Sequence, residues 1–202
     1  MIQITKTAAI ETSMVVPILS LKSHVAVDAD ESYYNDMLTE MHDAAVEYIE
    51  SKSRLVFRQG TYSITYDSLP DNSDPLYIPL WPVVAVSSVS YKDIDGATQA
   101  ISLGDLQVEL QSQPAAIYPL ADAHWPVSQS GSQRAVTVLA TVGGLSQVPA
   151  MAKHAIKLLV AHWFRNREAV LVGTISKDME KAVDALLVQF RKNHWQSFGV
   201  FQ

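Results

Sequence analysis

Residues 148–170, Val-Pro-Ala-Met-Ala-Lys-His-Ala-Ile-Lys-Leu-Leu-Val-Ala-His-Trp-Phe-Arg-Asn-Arg-Glu-Ala-Val, decide how this chain folds. Pro149 suits the first turn of a helix, where its missing N–H would have no partner anyway. Beyond it Ala152, Ile156, Leu159 and Trp163 recur every three or four residues, the period of a helical face. Leu158, Val160, Ala161 and Phe164 widen that face to most of the circumference, leaving a narrow charged line through Lys153, Lys157, Arg165 and Glu168. A helix apolar nearly all round must be covered on more than one side. Burial of each large side chain is worth roughly 1.5–3 kcal/mol, so cover is expected either from the rest of the chain or from a neighbouring copy of it.

Working outward, a second C-terminal helix is expected from about Ser176 to His194, with Met179, Val183, Leu186, Leu187 and Phe190 on one face. Near the other end, Pro17 starts a short helix through Ser23. Asp28 with Glu31 three residues later reads as a helix-start box, and Tyr34, Met37, Leu38, Met41, Ala45, Tyr48 and Ile49 trace a helical face to about Ser53. Residues 1–16 show no clear period and read as an arm or loose strand.

Between these ends the period changes to two. Tyr62, Ile64 and Tyr66 alternate with threonines and serine; Val84, Val86 and Ser88 begin a strand that turns at Asp95-Gly96, a hairpin signal. Leu106, Val108 and Leu110 alternate, as do Val136, Val138, Ala140 and Val142 before Gly143-Gly144. Pro75, Pro79 and Pro82 confine their segment to a sheet edge or an extended wrap. Residues 113–133, rich in Pro, Ser, Gln and Gly, read as a long exposed loop. The expected class is therefore α+β: a helical bundle built from both chain ends (1–57 and 148–202) with an antiparallel β-rich region (58–147) inserted between them.

The 202 residues suffice for one sizeable core or two small ones. Hydrophobic residues make up 48%, and mean hydropathy is +0.07, ordinary for a globular protein. The longest nearly apolar run, Leu158 to Phe164, is far shorter than the roughly 20 residues of a membrane span, and no signal peptide is visible at the N-terminus. There is no cysteine, which excludes disulfides and thiolate zinc sites and accords with a reducing cytosol. Charge is uneven: residues 1–150 hold 7 Lys/Arg against 17 Asp/Glu, net −10, and residues 151–202 hold 8 against 4, net +4. An acidic body with a basic C-terminal quarter favours layered contacts between unlike surfaces over a basic stripe facing phosphate.

Signs of catalysis are weak. Among six histidines, His154 and His162 lie eight apart on the main helix, more than two turns, too far to share an ion without a third ligand. Ser87, Ser88, Asp122 and the His124-Trp125 pair lack a nucleophile elbow, and Gly143-Gly144 lacks the rest of a phosphate loop. No catalytic, cofactor or metal residue is assigned, and a non-enzymatic role is expected. Tyr62, Tyr66, Trp81 and Trp125 offer an alternative function as the surface platform of a carbohydrate- or protein-binding module. Asp36, Glu40, Asp43, Glu47 and Glu50 line one face of the first long helix, with no Lys or Arg between Asp28 and Glu50. Like charges at that spacing cost roughly 0.2–0.5 kcal/mol per pair. The row reads either as a solubilising face or as a functional one. The tail, residues 193–202, carries Trp195, Phe198 and Phe201, and aromatics at a terminus suggest docking.

Four pieces in order carry a resemblance. They are Leu21-Lys22-x-His24-x-x-Val27-Asp28 before an acidic helix; Ile78-Pro79-Leu80-x-Pro82-Val83 leading to Val86-Ser87-Ser88-Val89-x-Tyr91 and Asp95-Gly96-Ala97; Thr141-Val142-Gly143-Gly144; and Leu158-Leu159-Val160-Ala161-His162-Trp163-Phe164 followed by Asn166-Arg167-Glu168-Ala169-Val170. In this order and spacing the chain resembles the head–tail connector (adaptor) proteins of long-tailed double-stranded DNA phages. The resemblance implies a structural virion protein of the neck, assembled in the host cytoplasm. It implies a homo-oligomeric ring, dodecameric in that family, beneath the portal protein and above a stopper or tail-completion protein, with DNA passing through non-specifically. No cofactor and no membrane are implied. Leu158, Trp163, Phe164, Arg165 and Arg167 would then form the subunit interface. The acidic row would line the channel or meet a neighbour's basic groups, and Trp195, Phe198 and Phe201 would reach the portal.

Overall fold

The computed structural model describes residues 2–53, 55–120, 123–129, 133–166 and 176–191, with only the backbone of 147 and 189–191. These residues form a mixed α+β structure in two compact units: one takes in 2–11 and 58–144, the other 12–57 and 145–191.

In the first unit, β1 (Ile2–Ala9), β2 (Gly60–Tyr66), β4 (Val83–Lys92), β5 (Thr98–Ile101) and β8 (Val136–Val142) form an antiparallel sheet in the order β1-β2-β8-β4-β5. The strand at its centre, β8, has the cleanest alternation in the sequence: Val136, Val138, Ala140 and Val142 all face inward and are fully buried. Ile64 and Val89 both pair with Val138, so three buried branched side chains sit abreast across three strands, the cross-strand contact that stabilises sheets.

The chain's start, expected as an arm or loose strand, is the edge strand of this sheet. Its register shifts between Lys6 and Ala8, and most of it is exposed. A bulge and lysine protect an edge from further pairing, and the lack of a buried face explains why no period marks it. At Gly60, β1 and β2 approach so closely that a Cβ would lie 2.9 Å from the Ala8 carbonyl oxygen.

A second antiparallel sheet has the order β3-β7-β6, with β3 (Leu76–Ile78), β6 (Leu106–Glu109) and β7 (Ala115–Pro119). The proline-flanked β3 is indeed an edge. β7, in contrast, lies within 113–133, expected to be a loop. Ala115, Ala116 and Ile117 are buried on both faces, so they lack alternation, and the surrounding polar residues mask a strand only five residues long. Tyr66 ties the sheets together, its O–H donating to the Tyr77 carbonyl at 2.7 Å. Burial pushes the Tyr66 phenol well above its usual range. The β4–β5 hairpin turns at Asp95-Gly96, where Gly96 has φ 82°. Gln99 and the N–H groups of Ala97 and Asp95 donate to the Asp93 carboxylate and hold it below the ordinary Asp range.

The second unit contains α1 (Ile18–Val25), α2 (Asn35–Ser53), α3 (Ala150–Arg165) and α4 (Lys177–Arg191). α2 and α3 each pack against the other three helices. Leu38, Met41, Ala45 and Ile49 of α2 meet a core made by Leu21, Val183, Leu187 and the α3 residues Ala152, Ala155, Ile156, Leu159 and Val160. α2 begins seven residues after Asp28. Asp28 and Glu31 instead shape turns, with the Glu31 N–H on the Asp28 carbonyl and the Glu31 carboxylate accepting from the Tyr33 N–H. The same side-chain chemistry caps turns and helices alike, and the residues that follow Glu31 are exposed rather than packed.

Two buried polar groups secure the connections. The Lys22 ammonium donates to the Ala29 carbonyl at 2.9 Å. His42, fully buried, accepts the Val16 N–H on Nε2 at 3.2 Å, with Nδ1 3.0 Å from the Asp43 carboxylate. Accepting at Nε2 places the ring proton on Nδ1, where it donates to Asp43.

α1 ends at Ala26 in the left-handed region, φ 59°, its N–H on the Lys22 and Ser23 carbonyls. An L side chain there is strained, and glycine is the usual occupant. Ala26→Gly is expected to stabilise the protein by about 0.5–1 kcal/mol after allowing for the added freedom of the unfolded chain, read as a higher thermal midpoint.

Candidate assembly surface

Four carboxylates of α2 form an open stripe. Asp36, Glu40, Asp43 and Glu47 are exposed on the side opposite Leu38, Ala45 and Ile49. Glu50 departs from the row: half-buried, it accepts the Phe57 N–H at 2.6 Å and so closes the turn after the helix. Of the five residues expected to line the channel, this one is committed to the backbone of its own chain.

α3 presents the opposite charge. No Asp or Glu occurs in 150–165, and the side turned away from the core carries Lys153, His154, Lys157 and Arg165. Beside them a groove of about 370 Å³ is lined by His24, Leu158, Ala161, His162, Arg165, Asn166 and Met179. The His24 and His154 rings meet edge to face at 6.3 Å, and Tyr34 packs edge to face on Phe164 at 5.5 Å. Sequence periodicity does not bring His24 to this face. Only the packing of α1 on α3 places it there, although the lack of acidic residues in α3 was a readable sign of a cationic surface.

Burial, then the nearby charges of Lys157, His154 and Arg165, hold the His24 pKa below 6.5. The folded chain therefore binds this proton less readily than the unfolded one. Its contribution to stability is complete above about pH 6.5 and is lost as pH falls below that value. Thermal midpoints between pH 7.5 and 5 should show this decline, and His24→Asn should flatten it.

The expected subunit-interface residues separate. Leu158 and Phe164 are half-buried and Arg165 is exposed. Trp163 is 2% exposed, sealed in the core of its own unit. Its assignment to an interface is corrected: α1, α2 and α4 supply the cover that the apolar girth of α3 demands. Arg167, Trp195, Phe198 and Phe201 lie outside the described residues, as does Asp122.

The aromatic platform is not assembled. Tyr66 and Trp125 are buried, and the Trp125 indole N–H donates to the Asp74 carbonyl at 2.7 Å. Trp125 and Leu69 instead wall a polar groove of about 630 Å³ that also includes Asp67, Asp71 and Gln129. His124 meets Ser73 at 3.2 Å in an exposed loop, while Ser87 and Ser88 lie on β4. Among the described residues no cluster of three or more His, Asp or Glu could hold a metal ion, and no helix is long and apolar enough to cross a membrane.

No protein-family model matches the sequence, and no curated protein matches it. Solved structures do. A chain in the virion of the native gene transfer agent (GTA) particle superposes with a TM-score of 0.68 at 18% identity, over 94% of this chain and 95% of that one. A chain in the neck of the empty GTA particle, computed with C6 symmetry, gives 0.66 at 19% identity over 94% and 95%. One in the neck of the native GTA particle, computed with C12 symmetry, gives 0.63 at 18% identity over 94% and 94%. The chain thus shares the fold of GTA particle chains over nearly its whole length.

Proposed function

We propose that this protein is a structural component of a phage-like virion neck, an adaptor whose copies close into a ring under the portal and extend the DNA channel toward a stopper or tail. The observation that carries this reading is the fold shared, over 94% of the chain, with chains in particle necks computed with C6 and C12 symmetry. A ring of twelve copies accords with both symmetries. In it the helical unit, drawn from 12–57 and 145–191, supplies a heterologous, ring-closing contact. Leu158, Phe164, Arg165 and Arg167 lie at the subunit boundary, and Trp195, Phe198 and Phe201 reach toward the portal. Asp36, Glu40, Asp43 and Glu47 face either the conduit, where they repel passing phosphates, or the adjacent subunit. No catalytic step and no cofactor enter this reading.

The test is direct. Purified protein mixed with cognate portal particles and imaged by electron microscopy should add a ring of density on the portal axis, and removal of residues 195–202 should weaken its attachment. A chain that binds no portal particle and forms no ring under any of these conditions overturns the proposal.

A further inference from the structure

We propose that adjacent copies are joined through unlike helix faces: Asp36, Glu40, Asp43 and Glu47 on α2 of one copy dock along Lys153, Lys157 and Arg165 on α3 of the next. This rests on the ring reading above and names the contact within it. The two stripes match in length. At 1.5 Å per residue, Asp36 to Glu47 spans about 16 Å and Lys153 to Arg165 about 18 Å. The carboxylates recur every three or four residues, while Lys153 and Lys157 stand one turn apart and Arg165 two turns further on, so opposite pairs form at both ends of the contact when the helices lie side by side.

Most of each stripe is unpaired at home. Among the described residues Asp36, Glu40, Glu47, Lys153, Lys157 and Arg165 enter no ion pair, whereas Asp43 is already engaged, in part by the side chain of its neighbour His42. The faces belong to different helices of one unit, and each turns away from the core that the helices share. They complement one another without meeting inside one chain, and a head-to-tail contact of that kind repeats from copy to copy and closes into a ring.

The surroundings favour a protein partner. Leu158 and the 38%-exposed Met151 flank the cations with apolar surface, which desolvates a pairing carboxylate and strengthens the attraction. The lowered His24 pKa reflects in part the same uncompensated charge of Lys157, His154 and Arg165. Turning every acidic stripe toward one lumen concentrates like charge, whereas pairing it with the next subunit's α3 cancels both rows at once.

Two full-length variants test the contact: Asp36→Lys/Glu40→Lys/Glu47→Lys, and Lys153→Glu/Lys157→Glu/Arg165→Glu. The substitutions are on exposed or half-buried positions, and circular dichroism melts report whether each still folds. Sedimentation at low ionic strength should show each variant alone associating at least about tenfold more weakly than the natural chain, and their equimolar mixture recovering most of that loss. In a separate experiment, Glu40→Cys/Lys157→Cys should give a ladder of disulfide-linked oligomers on oxidation, since the chain has no other cysteine.

A folded variant that associates as well as the natural chain overturns the proposal, as does a mixture that fails to recover or a cysteine pair that stays monomeric. If rings still form on portal particles in any of those cases, the ring reading survives and only this contact falls.

Discussion

Trp163→Ala should unfold the helical unit far more readily, at a cost of about 3–5 kcal/mol, the range for deleting a buried aromatic side chain. Trp163 is 2% exposed and lies on the same face of α3 as the fully buried Ile156 and Leu159. Truncation removes apolar area from the core and leaves a cavity that α1, α2 and α4 can only partly close. For a chain of this size, where 1 kcal/mol moves the thermal midpoint by about 2–4 °C, the melt should fall by roughly 10 °C. Leu158→Asp, on the lip of the α3 groove, should leave the midpoint within about 3 °C, because the altered side chain keeps access to water. The pair separates the core of one copy from the surface offered to another. Equal losses in the two variants would show that α3 depends on a partner for its cover.

His42→Ala should be nearly as severe, at about 3 kcal/mol. The substitution leaves the Val16 N–H without an acceptor in a place where Val16 is itself 2% exposed. An orphaned buried donor costs about 1–3 kcal/mol, to which the lost imidazole volume adds. His42→Gln, which can present a carbonyl oxygen to Val16, should recover part of the loss. Urea unfolding curves give both differences, and an unchanged slope would place the effect in the folded state. If His42→Gln were no better than His42→Ala, the acceptor role of Nε2 would be wrong.

Much of the fold was legible because one-sided burial leaves a period. β8 and β2 show theirs in alternating apolar residues, α3 in a three-four spacing from Ala152 to Trp163, and the β4–β5 turn in Asp95-Gly96. Where burial is two-sided or absent, the period vanishes. β7, with Ala115 to Ile117 enclosed on both faces, hid among prolines and glutamines. β1, exposed along most of its length, gave nothing to count and joined the sheet chiefly through backbone pairing. The start of α2 was misplaced because Asp28 and Glu31 can cap a turn as readily as a helix.

The surface was legible in part. The acidic row on α2 follows from spacing, and four of its five members do share an open face. Glu50 left the row because a backbone N–H seven residues on, at Phe57, came within reach of its carboxylate. Nothing in the local pattern could announce that bond. The same holds for Tyr66 and Trp125: an aromatic ring reads alike whether it stands on a surface or donates its polar tip to a carbonyl inside.

By itself, then, the amino-acid order determined the helices and the strands with one buried face, and that α2 and α3 carry opposite charge, since those properties depend on residues a few positions apart. Only the tertiary structure decided what covers Trp163, that residues 2–9 complete a sheet, and that His24 joins the cationic face of α3. Those outcomes depend on segments distant in the chain competing for the same apolar surface and the same backbone hydrogen bonds, and that competition is settled only when the chain is packed.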